Sequence, residues 1–519
     1  MHPAGAAAPD QGRLPDTVPS QATDQATDQA TDLADARDPR GLAPDAPLLR
    51  AWLAFSAATG DRRVTPFTIP GHKQRTDLVG DVVRGDVPLY GGLDTIRQSH
   101  GLLRDAEARA AELWGADWCR FSVGGSTHGN QSLALAVGRP GLPIVVSRTL
   151  HRSLLLGIVL AGLEPVWVRP RVDAATGLPT SVPPDEVARA LRDHPDACGV
   201  FLGDPSYVGT YGDVAAHAAV AHAAGVPLLV DAAWAPHFGF HPRLPPHPLA
   251  AGADAMVISA HKALPAANQA AVVLARTTRS GGLLDADRLE RGFEATHTTS
   301  PSGTILASID ASRALLARDG EALHGRLLTT VAAARDRLRS VAGLDVLDAP
   351  FGDGTVVDPA KLVVLLAGTG AYGRAVEADL VAAGMPVEMA DRDVVVAMLS
   401  AADDAATVGR LVDELVASVE RRRGEPRVAV PSAAWAVEAS TAMSPREAYF
   451  APHEAVPAER AVGRVCAELV APYPPGIPVL APGERVTTAT LEALHAARVD
   501  GCRIAYAADP SLETLQVVQ

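Results

Sequence analysis

The chain has 519 residues, is 47% hydrophobic and 20% charged, and carries a formal net charge of -14. That length holds roughly two or three domains and a sizeable core. The composition excludes a chain that is disordered throughout, and the acidic balance argues against a nucleic-acid surface and for small-molecule partners.

No apolar run of transmembrane length and no signal peptide is present, so the expectation is no membrane partner and a cytoplasmic location. Cys119, Cys198, Cys466 and Cys502 lie far apart without metal-ligand spacing and read as buried small residues in a reducing compartment. Residues 1–45 contain QATDQATDQATD and too few large apolar groups for a core, which predicts a disordered tail. Leu48 to Phe55 reads as a short amphipathic helix, and Pro70-Gly71-His72-Lys73 as a turn. The segment YGGLDTIRQSH (90–100) precedes a helix-spaced run from Leu102 to Trp114. Phe121-Ser-Val-Gly-Gly-Ser126-Thr127-His-Gly-Asn130 then leads into a helical run from Gln131 to Val137. Two glycines, two hydroxyls and a helix start suit a phosphate.

Ile144–Ser147, Pro165–Arg169 and Gly199–Leu202 read as strands, followed in turn by His151-Arg152-Ser153 after the first and Asp204-Pro-Ser206-Tyr207 after the third. Leu228 to Asp231 is a buried strand ending on an acid, and Ala253 to Ile258 a strand ending on Ser259-Ala-His261-Lys262. Strands separated by helical stretches imply a parallel α/β sheet, whose sites lie beyond the carboxyl ends of the strands. Ser126, His151, Ser206, Asp231 and Lys262 all follow strand ends, so the pattern gathers them on one rim. An acid at one strand end and a lysine at the next suit pyridoxal phosphate. Lys262 would form its Schiff base, Asp231 would keep the ring nitrogen protonated, and Ser259 and His261 could hold the phosphate. Taken singly, an Asp at a strand end is more often a turn residue or cap, and a Lys is usually solvated.

Asp231-Ala232-Ala233-Trp234, Ser259-Ala-His261-Lys262 and Gln269 resemble the Orn/Lys/Arg decarboxylases, in a compact form without the N-terminal wing domain. PGHK, YGGLDTIRQSH, and Ser444-Pro-Arg-Glu-Ala-Tyr449 with Pro472 to Pro478 and Pro482-Gly-Glu484 extend the likeness from Pro70 to the C-terminus. The resemblance implies an α/β fold-type-I (aspartate aminotransferase-like) large domain with a mainly parallel sheet, a smaller α/β domain and a C-terminal decarboxylase domain. The expected divisions are 1–45 for the tail, 46–310, 311–425 and 426–519. The resemblance also implies that Ser126 and Thr127 bind phosphate and that His151 stacks on the ring. Ser206 would approach the ring's phenolic oxygen, with Ala233 and Trp234 beside the cofactor. Arg152 stands where relatives commonly carry Lys.

Thr298, in FEATHTTSPSGT, matches a loop that crosses a dimer interface to the neighbour's cofactor, which implies a homodimer or higher assembly. The implied reaction is decarboxylation of lysine, ornithine or arginine to the amine, with Lys262 or His261 returning a proton to the α-carbon. Other pyridoxal phosphate chemistry on the same scaffold, or a non-catalytic cofactor-binding paralogue, are the alternatives. Ala232 and Ser302-Gly303 leave room for a specialised substrate, and Glu484 and Glu459 are the candidate carboxylates for its head group.

Overall fold

The computed structural model describes residues 37–60, 63–87, 101–429, 437–438, 440–473, 477–499 and 502–519. The expected tail up to residue 36 and the segment 90–100 lie outside them, as do residues 474–476 of the proline-rich run. Of the first unit, residues 1–42, the described part is a turn in which Leu42 N–H donates to Asp38 Oδ1 at 2.8 Å.

In the second unit, residues 43–519, a seven-stranded sheet positions everything that follows. Its strands are β1 (Trp118–Ser122), β2 (Pro143–Ser147), β3 (Glu164–Val168), β4 (Val200–Gly203), β5 (Leu228–Asp231), β6 (Ala255–Ile258) and β7 (Ala271–Ala275). The spatial order is β1-β7-β6-β5-β4-β2-β3. All neighbours are parallel except β7, which runs antiparallel to β1 and β6 on either side. The apolar runs are continuous because both faces are covered. Val145, Leu202, Leu228, Val230, Met256 and Ile258 enter one core, while Val146, Phe201, Leu229, Ala255 and Val257 enter the other. Six strands therefore end on one edge.

The helix α1 (Pro47–Gly60) extends the expected Leu48–Phe55 stretch, and α2 (Leu102–Leu113) follows the predicted spacing. The helix α3 (Gly125–Val137) begins six residues before the expected Gln131. Gly125 has φ of 71°, and Ser122 Oγ accepts from Gly124 N–H at 3.1 Å, which together turn the chain straight from β1 into the helix. Ser126 and Thr127 consequently belong to its first turn, not to a loop ahead of it. The helix α4 (Arg152–Ala161) follows β2.

The helix α5 (Gly303–Arg339) has 37 residues. Its first turns give Leu306 and Ile309 to the sheet's core. Its later turns give Leu327, Leu328, Val331 and Leu338 to a third core, built on the antiparallel sheet of β8 (Asp345–Val346), β9 (Leu362–Leu365), β10 (Met389–Ala390) and β11 (Val394–Ala397). The expected division at residue 310 falls inside α5. A further core contains Val470, Leu480, Leu494, Leu515 and Val517 from the C-terminal segment. No helix among the described residues is long and apolar enough to cross a membrane.

Candidate active site

Ser126, His151, Ser206, Asp231, Ala233, Trp234 and Lys262 line one cavity at the strand ends. The rim predicted from strand positions is therefore the observed one. Thr127, Ser259, His261 and Thr298 are not part of that wall. Thr127 and Thr298 are exposed. Ser259 is fully buried, and its hydroxyl lies 3.3 Å from His261 Nδ1. That nitrogen is also 3.0 Å from the Ala270 carbonyl, so it carries a proton and leaves Nε2 as the ring's outward atom.

Asp231 closes β5 and is almost wholly buried. Asn130 Nδ2, on α3, donates to its Oδ2 at 2.7 Å, and Ala233 N–H donates to its Oδ1 at 3.2 Å. The same Asn130 amide donates to Ser153 Oγ at 2.9 Å, and that hydroxyl reaches His151 Nδ1 at 2.8 Å. His151 caps α4, its Nδ1 also accepting the Ser153 N–H at 3.2 Å. With Nδ1 accepting, the neutral ring keeps its proton on Nε2. Burial lowers the His151 pKa, Asp231 opposes this, and Lys262 and Arg152 add to the lowering. Arg152 itself points to the C-terminal segment, its guanidinium 4.5 Å from the Tyr506 ring centroid.

Lys262 lies in a short helix (Ala260–Ala263) that follows β6, and its Nζ stands 3.6 Å from the centroid of Trp234. Burial lowers its pKa against the pull of Asp231 and Glu388. The Trp234 ring meets Tyr207 edge-on at 4.9 Å, and the Tyr207 hydroxyl donates to Glu388 Oε1 at 2.7 Å. Ser206 lines the cavity, but its hydroxyl is engaged within its own turn, where it accepts from Thr210 N–H at 3.2 Å.

Glu484, one candidate for the head group, is not part of the cavity wall. It is buried in a two-pronged pair with Arg148, whose Nη2 lies 3.0 Å from Oε2, and it also accepts the Ala481 N–H. Glu459 is exposed and stands outside the cavity wall. The acids that do line it are Asp204, Asp391 and Asp393, besides Asp231. Burial pushes Asp204 up to about 7 and Asp391 to about 6. His72 and Lys73 form a local turn, with His72 Nε2 3.2 Å from Asp86 Oδ2 and the lysine donating to the Thr68 carbonyl. Asn130, Ser153, Tyr207, Glu388 and Lys361 were not singled out by spacing. Asn130 had one available signal, since it sits one helical turn after Ser126 once the helix starts at Gly125.

Two family models match the chain. They are the Orn/Lys/Arg decarboxylase major domain over residues 57–360 and the C-terminal domain of the same family over residues 429–499. The arginine decarboxylase of Halalkalibacterium halodurans is 32% identical over 481 residues, covering 90% of this chain and 97% of the relative. This chain belongs to the Orn/Lys/Arg decarboxylase family. The arginine decarboxylase of Bacillus subtilis is 30% identical over 471 residues, covering 88% of this family member and 95% of the relative. Lysine decarboxylase A from Pseudomonas aeruginosa superposes with a TM-score of 0.77 at 21% identity, covering 96% of the decarboxylase chain described here and 83% of that structure. The fold is that of the fold-type-I pyridoxal-phosphate enzymes, and the chain is a decarboxylase of that class.

Proposed function

We propose that the protein removes the α-carboxylate of a basic amino acid as carbon dioxide, with pyridoxal phosphate as cofactor. The observation that carries this reading is one cavity holding the Lys262 amine, the Asp231 carboxylate and the His151 ring. The donor set fits the cofactor. Lys262 supplies the amine, Asp231 a carboxylate for the ring nitrogen, and His151 and Trp234 flat surfaces. Ser126, in the first turn of α3, offers backbone and hydroxyl donors to a phosphate. When bound, the cofactor supplies an electron sink for the pair left by the departing carboxylate. Asn130 and Ala233 N–H hold the Asp231 carboxylate in place, so no reorganisation is needed as charge develops. Ser153 fixes the His151 ring by occupying Nδ1.

Relatives named arginine decarboxylases at 30–32% identity make arginine the first substrate to test, with lysine and ornithine after it. Purified protein with cofactor is incubated with each amino acid, and carbon dioxide and amine are measured together. Equal yields of the two support the reading. Ammonia or keto acid without carbon dioxide would place the enzyme in another pyridoxal phosphate chemistry, and no turnover would favour a non-catalytic role. Borohydride should trap the cofactor on Lys262.

A further inference from the structure

The whole chain contains three lysines, Lys73, Lys262 and Lys361, among 46 basic residues. All the others are arginine. A guanidinium stays charged, whereas a lysine amine changes its protonation with its surroundings. In a chain that meets almost every need for positive charge with arginine, a retained lysine marks a place where an amine is wanted, not merely a cation. Two of the three meet on one ring. Lys262 Nζ lies 3.6 Å from the Trp234 centroid and Lys361 Nζ 3.9 Å from it, so the amines are no further apart than those two lengths end to end.

Lys361 reaches the site from just before β9. Its side chain is buried, and among the described residues its amine makes no hydrogen bond or ion pair. It stands against the Trp234 ring and, at 5.7 Å, that of Tyr207. The turn that carries it is fixed. Lys361 N–H donates to the Asp358 carbonyl at 3.2 Å, and Arg335 Nη2 donates to the Lys361 carbonyl at 2.6 Å. The Asp358 carboxylate in turn is paired with His237 at 3.1 Å and accepts the Ala360 N–H. Burial lowers the pKa of Lys361 most, Asp358 opposes, Lys262 lowers it further and Glu388 opposes, leaving it at about 7. Tyr207 stays protonated, its pKa raised by burial and by Glu388. On the side of Lys262, Asp231 and His151 complete the set of charged and titrating groups.

We propose that Lys361 is a positioning residue for Lys262, accepting the proton that Lys262 must shed before its nitrogen can form a bond and returning it afterwards. The net change is one proton moved from the Lys262 Nζ to the Lys361 Nζ, relayed by solvent where the two amines do not touch, and no other bond changes. A lysine nitrogen attacks only as the free amine, so the transfer readies Lys262 without placing net charge in the cavity. Its use in turnover rests on the function proposed above. The pairing itself does not, and it is tested without turnover.

Protein labelled with ¹³C at lysine Cε gives three side-chain signals, each following the protonation of its own amine. In the cofactor-free protein the Lys361 signal, assigned by its loss in Lys361→Met, should titrate near 7. In Lys262→Met it should titrate about one pH unit or more higher, because a neighbouring cation is gone. A midpoint above about 9.5, close to that of a solvated lysine, overturns the proposal. So does a midpoint that Lys262→Met leaves unmoved. Should Lys361→Met fail to fold, Lys73→Arg assigns the signals by elimination.

A second readout is the rate at which added pyridoxal phosphate combines with the cofactor-free protein. Lys361→Met should slow it about tenfold or more at neutral pH, with recovery at alkaline pH where Lys262 deprotonates unaided, and Lys361→Arg should give no rescue. Equal rates in wild type and Lys361→Met at neutral pH also overturn the proposal. A protein that passes both tests yet decarboxylates none of the three amino acids would refute the proposed function and leave the amine pair standing.

Discussion

Asp231 accepts hydrogen bonds on both oxygens, from Asn130 and from Ala233, and so presents a fixed carboxylate to the cavity. Asp231→Asn keeps the shape but loses the charge that would hold a ring nitrogen protonated. Turnover should fall by about 100-fold or more while the circular dichroism spectrum and cofactor content stay near wild type. Near-normal turnover would reduce Asp231 to a structural cap. Asp204 makes the opposite case. Its carboxyl keeps its proton up to about pH 7 in the fold but ionises near 3.8 when unfolded, so its stability contribution is full below about pH 4 and is lost as pH rises from there to about 7. Asp204→Asn cannot ionise. Its melting temperature relative to wild type should therefore climb between about pH 4 and about pH 7 and level off above that, and a flat difference would show that Asp204 is already ionised in the fold. Asp231 and Lys262 were legible in the sequence because each closes an apolar run. Asn130 was hidden by a Gly-Gly-Ser-Thr stretch that reads as a loop. Lys361 was hidden by distance along the chain, although the scarcity of lysine was open to view from the start.

Strands were the most readable elements. β5 runs from Leu228 to Asp231 as expected, and β2, β3, β4 and β6 differ from expectation by one or two residues, because buried parallel strands are continuous apolar runs bounded by turns. Contacts between distant elements were not readable. Arg148, after β2, and Glu484, in the C-terminal segment, are 336 positions apart and form a buried pair. The Arg148 guanidinium also lies 4.7 Å from the Trp167 ring centroid and donates to the Val479 carbonyl. Nothing in the local sequence of Glu484 distinguishes such a structural carboxylate from a substrate ligand. Glu484→Ala leaves a buried cation without its partner, which costs about 3–5 kcal/mol. Denaturant melts of the variant should lose stability on that scale. A substrate-specific rise in KM with unchanged stability would return Glu484 to the head-group role.

At the scale of the molecule, the exposed Thr298 is the residue that bears on assembly. The proposal from its resemblance is that each site in a homodimer borrows this loop from the neighbouring subunit. Mixing inactive Lys262→Ala with a loop variant strongly impaired at Thr298 and Thr299 should restore part of the activity, since one site per mixed dimer inherits both intact halves. No recovery despite proven subunit exchange would keep the loop with its own chain. The helix α5 has a separate consequence. At about 1.5 Å per residue its 37 residues run about 55 Å, and one end serves the sheet's core while the other serves the core of β8 to β11. Neither core can melt without stripping apolar side chains from a rod that the other still grips. Heating should therefore produce one calorimetric peak for both bodies. A pair of glycines placed at exposed positions midway along the rod should split that peak in two, turning a single cooperative block into two that come apart independently.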